Sequence, residues 1–204
     1  MPKAPMNKSK TFIFLTFSCL ILLTSCQTSV QKNKLSLEKQ ADLISKGKKI
    51  TMLSFKALSG EVMKALQEGG VQHAIAYCHL QASPLIDSLS LVDKAKISRV
   101  SDKYRNPSNK PGDLDLTVIK SYQQQLANGL ELQPHLELTG DEVVFYSPIL
   151  ILNPACLQCH GEPGSTMGQD HFDFIKSKYS GDLATGYKLG ELRGVWKIEM
   201  SAEF

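Results

Sequence analysis

The sequence lacks an apolar run long enough to cross a membrane comfortably, which takes about 20 residues. Its longest apolar stretch, residues 12–23, is short and is interrupted by Thr16, Ser18 and Cys19. It also lacks a second pair of closely spaced cysteines. A structural zinc site, which needs four ligands and commonly takes them as two paired knuckles, therefore loses its usual donors. Beyond residue 25 there is no excess of either charge, because the net +3 of the whole chain equals the three lysines of the leader, Lys3, Lys8 and Lys10. A neutral domain gives no support to nucleic-acid or acidic-partner binding. No internal repeat and no low-complexity tract is present.

What the leader does contain is ordered. Three lysines precede the short apolar run, and Leu23-Thr24-Ser25-Cys26 follows it. That order is the form of a bacterial lipoprotein signal, in which small residues precede a cysteine that is acylated and becomes the new N-terminus. The expectation is a cleaved signal at residues 1–25, lipid on Cys26, a polar tether over residues 26–34 and one domain over residues 35–204. Such a protein is exported and held by lipid on the periplasmic side of the cell membrane.

Export makes the cysteine count informative, since exported thiols oxidise or find partners. Cys19 leaves with the signal and Cys26 carries lipid. Cys156 and Cys159 form a local pair, and Cys78 stands alone. The pair belongs to Cys156-Leu157-Gln158-Cys159-His160, the spacing that attaches a c-type haem: two thiols for the two vinyl arms and an adjacent imidazole for the iron. A dithiol oxidoreductase would also place a Cys pair after a strand, but expects a thioredoxin-like βαβ frame around it. An incidental disulfide leaves His160 unexplained. Haem accounts for all three residues, with His160 as the proximal iron ligand.

The hydrophobic pattern predicts helix from residue 35 to about 68, halted by Gly69-Gly70, and a second helix over about 71–82. Ser83-Pro84 has the cap-then-proline form of a new start, predicting a third short helix over 84–91. An extended stretch over 97–103, a Pro/Asn-rich loop over 104–112 and a helix over 113–127 follow. Residues 136–139 and 143–152 form a hairpin about Gly140-Asp141, and 194–201 is a last strand. Helices followed by an antiparallel sheet make the fold class α+β.

On the helix from Val71, Ala74, Ile75, Cys78 and Ala82 share one face. Cys78 is thereby a candidate for the second axial position, against two alternatives: a small packing residue, or an iron with no second protein ligand. His73, His79, His135 and His171 show no partner in sequence. Met167 would reach the iron only through a tight loop, and Met200 reads as core.

Several blocks in order give the chain a wider resemblance. They are Ala76-Tyr77-Cys78-His79, then Ile97-Ser98-Arg99-Val100-Ser101-Asp102-Lys103-Tyr104-Arg105-Asn106-Pro107-Ser108-Asn109 with Pro111, and Phe145-Tyr146-Ser147-Pro148-Ile149. The pentapeptide with Gly161-Glu162-Pro163 follows, and Ala184-Thr185-Gly186-Tyr187, Gly190-Glu191 and Arg193-Gly194 complete the series. The chain resembles the PAS-like, single c-type haem domains found exported or as extracytoplasmic sensor parts of bacterial signalling proteins. It departs from them after Pro111, where Gly112-Asp113-Leu114-Asp115 replaces an acidic-aromatic-acidic run.

The resemblance implies a PAS-like antiparallel sheet flanked by helices, one covalent haem c on Cys156 and Cys159, and Cys78 as distal ligand opposite His160. Arg105, with Lys103, Arg99 and Arg193 as further candidates, would face the haem propionates, unless these cations serve the loops that carry them. The implied function is redox or diatomic-gas sensing through a separate signalling partner, because no output segment follows Phe204. The alternative is an electron carrier that exchanges electrons with a redox partner. A haem enzyme would need a distal acid-base group that the sequence does not display, so no catalytic role is expected.

Overall fold

Helix α1, Leu37–Asp93, starts where Ser36 can cap it: the Ser36 hydroxyl accepts the Lys39 N–H at 3.2 Å. Its buried residues Leu43, Gly47, Ile50 and Ser54 recur every three or four positions, the period that places them on one face. At Gly69 and Gly70 the backbone leaves helical geometry, and Gly70 has φ +72°, a conformation that glycine adopts without a Cβ penalty. Two helical limbs therefore meet at the predicted break. The computed structural model describes residues 35–140 and 142–201, and Leu35–Phe204 forms one compact unit. The expected signal, Cys26 and the tether lie outside the described residues.

Pro84 does not begin a new helix. It rides inside the second limb on an exposed position, where water can satisfy the carbonyl that loses its N–H partner. The limb continues to Asp93 and closes on Lys94 in left-handed geometry, with φ 49°.

Four strands follow: β1 Lys96–Val100, β2 His135–Thr139, β3 Glu142–Leu150 and β4 Leu192–Ser201. All pairings are antiparallel and the order is β1-β4-β3-β2, so the last strand is inserted between the first and third. β2 and β3 form the expected hairpin, with Gly140 at φ +63° in its turn. Helix α2, Asp113–Ala127, matches its predicted span, and the Asp115 carboxylate accepts the Gly112 N–H at 3.0 Å across its first turn.

The sheet is covered on both faces. Ile97, Phe145, Trp196 and Ile198 pack with Leu43 and Ile50 of α1, while Val100, Tyr146 and Val195 pack with Val118, Ile119 and Tyr122 of α2. Residues 143–146 are consequently all buried, which is why β3 does not alternate between apolar and polar. Gly47 permits the close approach of α1, for a Cβ there would run into the Phe145 ring.

One helix was not anticipated. Between the pentapeptide and β4 the chain forms α4, Gln169–Lys178, preceded by the one-turn α3, Leu157–His160. Met167 and Ile175, both fully buried, join Tyr179 and the second limb's Ile75 in a third apolar cluster. Among the described residues, no helix is long and apolar enough to cross a membrane.

Candidate functional site

The pentapeptide occupies a short helical corner after β3. Asn153 caps it by accepting the Ala155 N–H at 2.9 Å, and the Gly161 N–H closes it on the Leu157 carbonyl at 2.8 Å. Cys156 and Cys159 are both half-buried free thiols. They enter different apolar clusters, Cys156 beside Ile151, Ala184 and Tyr187, and Cys159 beside Ile75 and Met167. An all-antiparallel sheet is also not the βαβ frame of a thioredoxin-type dithiol. Burial raises the Cys159 thiol to about 11.

His160 is oriented by the main chain. Its Nδ1 lies 2.9 Å from the Ala184 carbonyl. A carbonyl only accepts, so Nδ1 carries the proton and Nε2 keeps its lone pair. The ring lines a cavity of about 180 Å³ together with Phe55, Leu58, Tyr104, Arg99, Arg193 and Trp196. Burial, with the charges of Arg193 and Arg105 behind it, holds His160 well below the usual imidazole range, and the Ala184 bond only partly offsets them. The imidazole is neutral and available as a donor.

The arginines around it are of two kinds. Arg105 is held by protein on two of its nitrogens: its Nε donates to Asp182 Oδ1 at 2.9 Å, and its Nη2 donates to the carbonyls of Cys159 at 2.7 Å and Ala184 at 3.1 Å. Arg99 and Arg193 form no ion pair with a carboxylate among the described residues. Arg99 lies 5.8 Å over the Trp196 ring, and the buried Nε of Arg193 has no partner. Burial lowers the proton affinity of both guanidinium groups. Two half-buried cations without counter-ions are costly, and an anion entering the cavity would relieve them.

A neutral imidazole, two thiols and two guanidinium groups without a carboxylate partner among the described residues, Arg193 donating only to the Lys103 carbonyl at 3.2 Å, form a donor set suited to a metal-bearing group that also carries carboxylates. The Tll0287-like family profile matches residues 27–201. The chain belongs to this family. Among solved structures, the cyanobacterial heme-protein Tll0287 has the same fold, with a TM-score of 0.56 at 19% identity over 82% of this chain and 97% of that one. No curated protein matches. Family and α+β fold thus agree with the resemblance carried by the ordered sequence blocks.

Within this Tll0287-like domain, Cys78 sits half-buried on the second limb of α1. Burial raises its thiol, and Arg99 and Arg105 draw it back. It shares that electrostatic neighbourhood with Cys159 but does not line the His160 cavity. Lys103, expected beside the arginines, donates to the Thr185 carbonyl at 2.6 Å and lies 4.1 Å over the Tyr187 ring.

The remaining histidines and methionines are placed elsewhere. His73 pairs with Glu68 and His135 with Glu137, while His79 meets the Tyr179 ring edge-on at 4.8 Å. His171 lies 3.7 Å from Asp170. Met167 and Met200 are core residues. Among the described residues no cluster of three or more His, Cys, Asp or Glu could hold a bare metal ion.

Sequence reasoning passed over Asp182 and Ala184 as site residues. Asp182 accepts from Arg105 and also from the Ala184 N–H at 3.0 Å, so it fixes the carbonyl that orients His160. The missed α4 had a readable signal in the spacing of Phe172, Ile175 and Tyr179. Asp182 had none, because its partner lies 77 positions away.

Proposed function

We propose that this chain binds one haem, covalently through Cys156 and Cys159, with Nε2 of His160 as proximal ligand. The observation that carries the reading is the hydrogen bond from His160 Nδ1 to Ala184, which leaves Nε2 free beside two arginines without counter-ions. That the structural neighbour Tll0287 is a heme-protein supports the same class of ligand.

The donor set fits a haem. The cavity, at about 180 Å³, lies below the ~300–1,000 Å³ usual for small-molecule sites, so its wall at Phe55 and Leu58 must yield on binding. Phe55, 59% exposed, has room to move. Arg99 and Arg193 would take the propionates; Arg105, an earlier candidate for that contact, already serves Asp182 and two carbonyls. A bound haem supplies one-electron redox chemistry and an iron that can take a small ligand.

In this reading the Cys78 thiol would be the second protein ligand of the iron, and the role is haem-based redox or gas sensing without catalysis. Cys78 stands outside the cavity lining and on the limb beyond Gly69-Gly70. Its thiol shares an electrostatic neighbourhood with Cys159, Arg99 and Arg105, and a thiol ligand that a small molecule can displace or oxidise is what a sensor requires. The protein would act from a lipid anchor at Cys26 on the periplasmic side and pass its state to a separate protein. An electron carrier is the second reading: an iron held by both His160 and Cys78 would exchange electrons without taking a further ligand.

The test is a covalent haem stain of the denatured full-length protein, followed by optical and EPR spectra in both redox states with and without carbon monoxide or nitric oxide. Stain should be present in wild type and lost when both Cys156 and Cys159 are replaced by Ala. Absence of stain in wild type overturns the covalent reading. A thiolate-type ferric signal should vanish in Cys78→Ala, and an unchanged spectrum removes Cys78 from the iron. Ready gas binding supports sensing; inert iron with reversible electron exchange supports a carrier.

A further inference from the structure

The Ala184 carbonyl accepts two hydrogen bonds, one from His160 Nδ1 at 2.9 Å and one from Arg105 Nη2 at 3.1 Å. The second donor is a cation. Arg105 is held in place by an ion pair to Asp182, whose side chain is fully buried, and by its 2.7 Å bond to the Cys159 carbonyl one residue before His160. Asp182 also accepts the Ala184 N–H at 3.0 Å, so the same carboxylate positions both the cation and the residue whose carbonyl is shared.

We propose that Arg105 is a positioning residue that sets the donor strength of His160 through the Ala184 carbonyl. The inference rests on the haem reading above. An acceptor hydrogen-bonded to the second nitrogen of a metal-ligating histidine raises the basicity of the ring. A charge-assisted bond from Arg105 draws electron density from that acceptor, so the oxygen pulls less strongly on the His160 N–H. The ring then has less imidazolate character, Nε2 donates less, and a haem iron is held more readily in its reduced state. The guanidinium suits this task because, in one rigid fork, Nη2 donates to the carbonyls of residues 159 and 184 while Nε pairs with Asp182. A lysine keeps the charge but cannot reproduce that fork.

The experiment compares full-length wild type, Arg105→Lys and Asp182→Asn. Two quantities are read: the midpoint potential of the haem-loaded protein at fixed pH and ionic strength, and the His160 ring N–H resonance in the reduced protein and in the haem-free chain, using nitrogen-15-labelled histidine. In Arg105→Lys the resonance should move downfield in both forms. The reduced-to-oxidised ratio at a fixed potential should fall about tenfold, equivalent to ~59 mV for a one-electron couple. Asp182→Asn should move both readouts in the same direction by a smaller amount, and it serves as the test if Arg105→Lys does not fold.

A stained, folded Arg105→Lys protein with unchanged potential and resonance overturns the proposal and leaves Arg105 as a loop tie. A changed potential with an unmoved ring N–H also overturns it, since the effect would not pass through Ala184. Absence of haem stain in wild type instead strikes the underlying haem reading, while the haem-free resonance still reports whether Arg105 weakens the Ala184 acceptor.

Discussion

The hydroxyl of Tyr146 donates to Asp115 Oδ1 at 2.6 Å, tying the middle of the sheet to the first turn of α2. Lys197, opposite Tyr146 on the neighbouring strand, approaches the same carboxylate oxygen at 3.0 Å. Three residues distant in sequence thus hold one helix against the sheet face remote from α1.

This cluster makes stability depend on acid. Burial alone would raise the Asp115 carboxyl, but the bonds from Tyr146, Gly112 and Lys197 win and hold it below the usual value. A depressed carboxylate stabilises the fold fully above its unfolded pKa of about 3.9, and that stability is lost as pH falls through the lower folded value. Asp115→Asn should cost about 2–3 kcal/mol near neutrality and flatten the acid limb of a urea-midpoint profile between pH 6 and 2. An acid limb as steep as that of wild type would rule out Asp115 as its source.

Gly47→Ala carries a prediction of sign. In an exposed helix this change stabilises by about 1 kcal/mol. Here the added methyl meets the Phe145 ring, which is fully buried. A net loss of about 1–3 kcal/mol is expected instead, measurable by chemical denaturation. A gain would mean that α1 can stand off from the sheet at no cost.

Arg99→Met should act oppositely on the two forms of the protein. In the haem-free chain it removes a half-buried cation with no ion-pair partner among the described residues, and unfolding should become harder by up to about 1 kcal/mol. In the loaded protein it removes a propionate partner, and the stability added by haem should shrink. Paired urea titrations of both forms give the comparison. A loss of stability in the haem-free chain would show that the cation is already compensated.

Cys26→Ala tests the anchor. The wild-type protein should sediment with membranes and incorporate labelled fatty acid, whereas the variant should do neither and should appear in the soluble exported fraction. Membrane association that survives the substitution would exclude Cys26 as the lipid site.

Much of the local structure was legible because its determinants are local. The break at Gly69-Gly70, the hairpin about Gly140, the span of α2 and the Cys156–His160 spacing each rest on residues adjacent in the chain. Pro84 misled for the same reason: its sequence neighbourhood describes a helix start, while its exposed position in the packed domain lets the helix continue. α4 was passed over although the spacing of Phe172, Ile175 and Tyr179 was there to read.

By itself the sequence determined which groups could do chemistry: two thiols and an imidazole at attachment spacing, a lone Cys78 on an apolar helix face, and a set of arginines. Tertiary structure decided how those arginines divide. Arg105 meets Asp182 and the carbonyls of Cys159 and Ala184, whereas Arg99 and Arg193 are left at the cavity without counter-ions. The division depends on β4 pairing between β1 and β3 and on the 182–187 loop folding back to His160. The physical reason is that the effect of a buried charge is set by what surrounds it in space, and contacts across tens of residues leave no periodic mark in the chain.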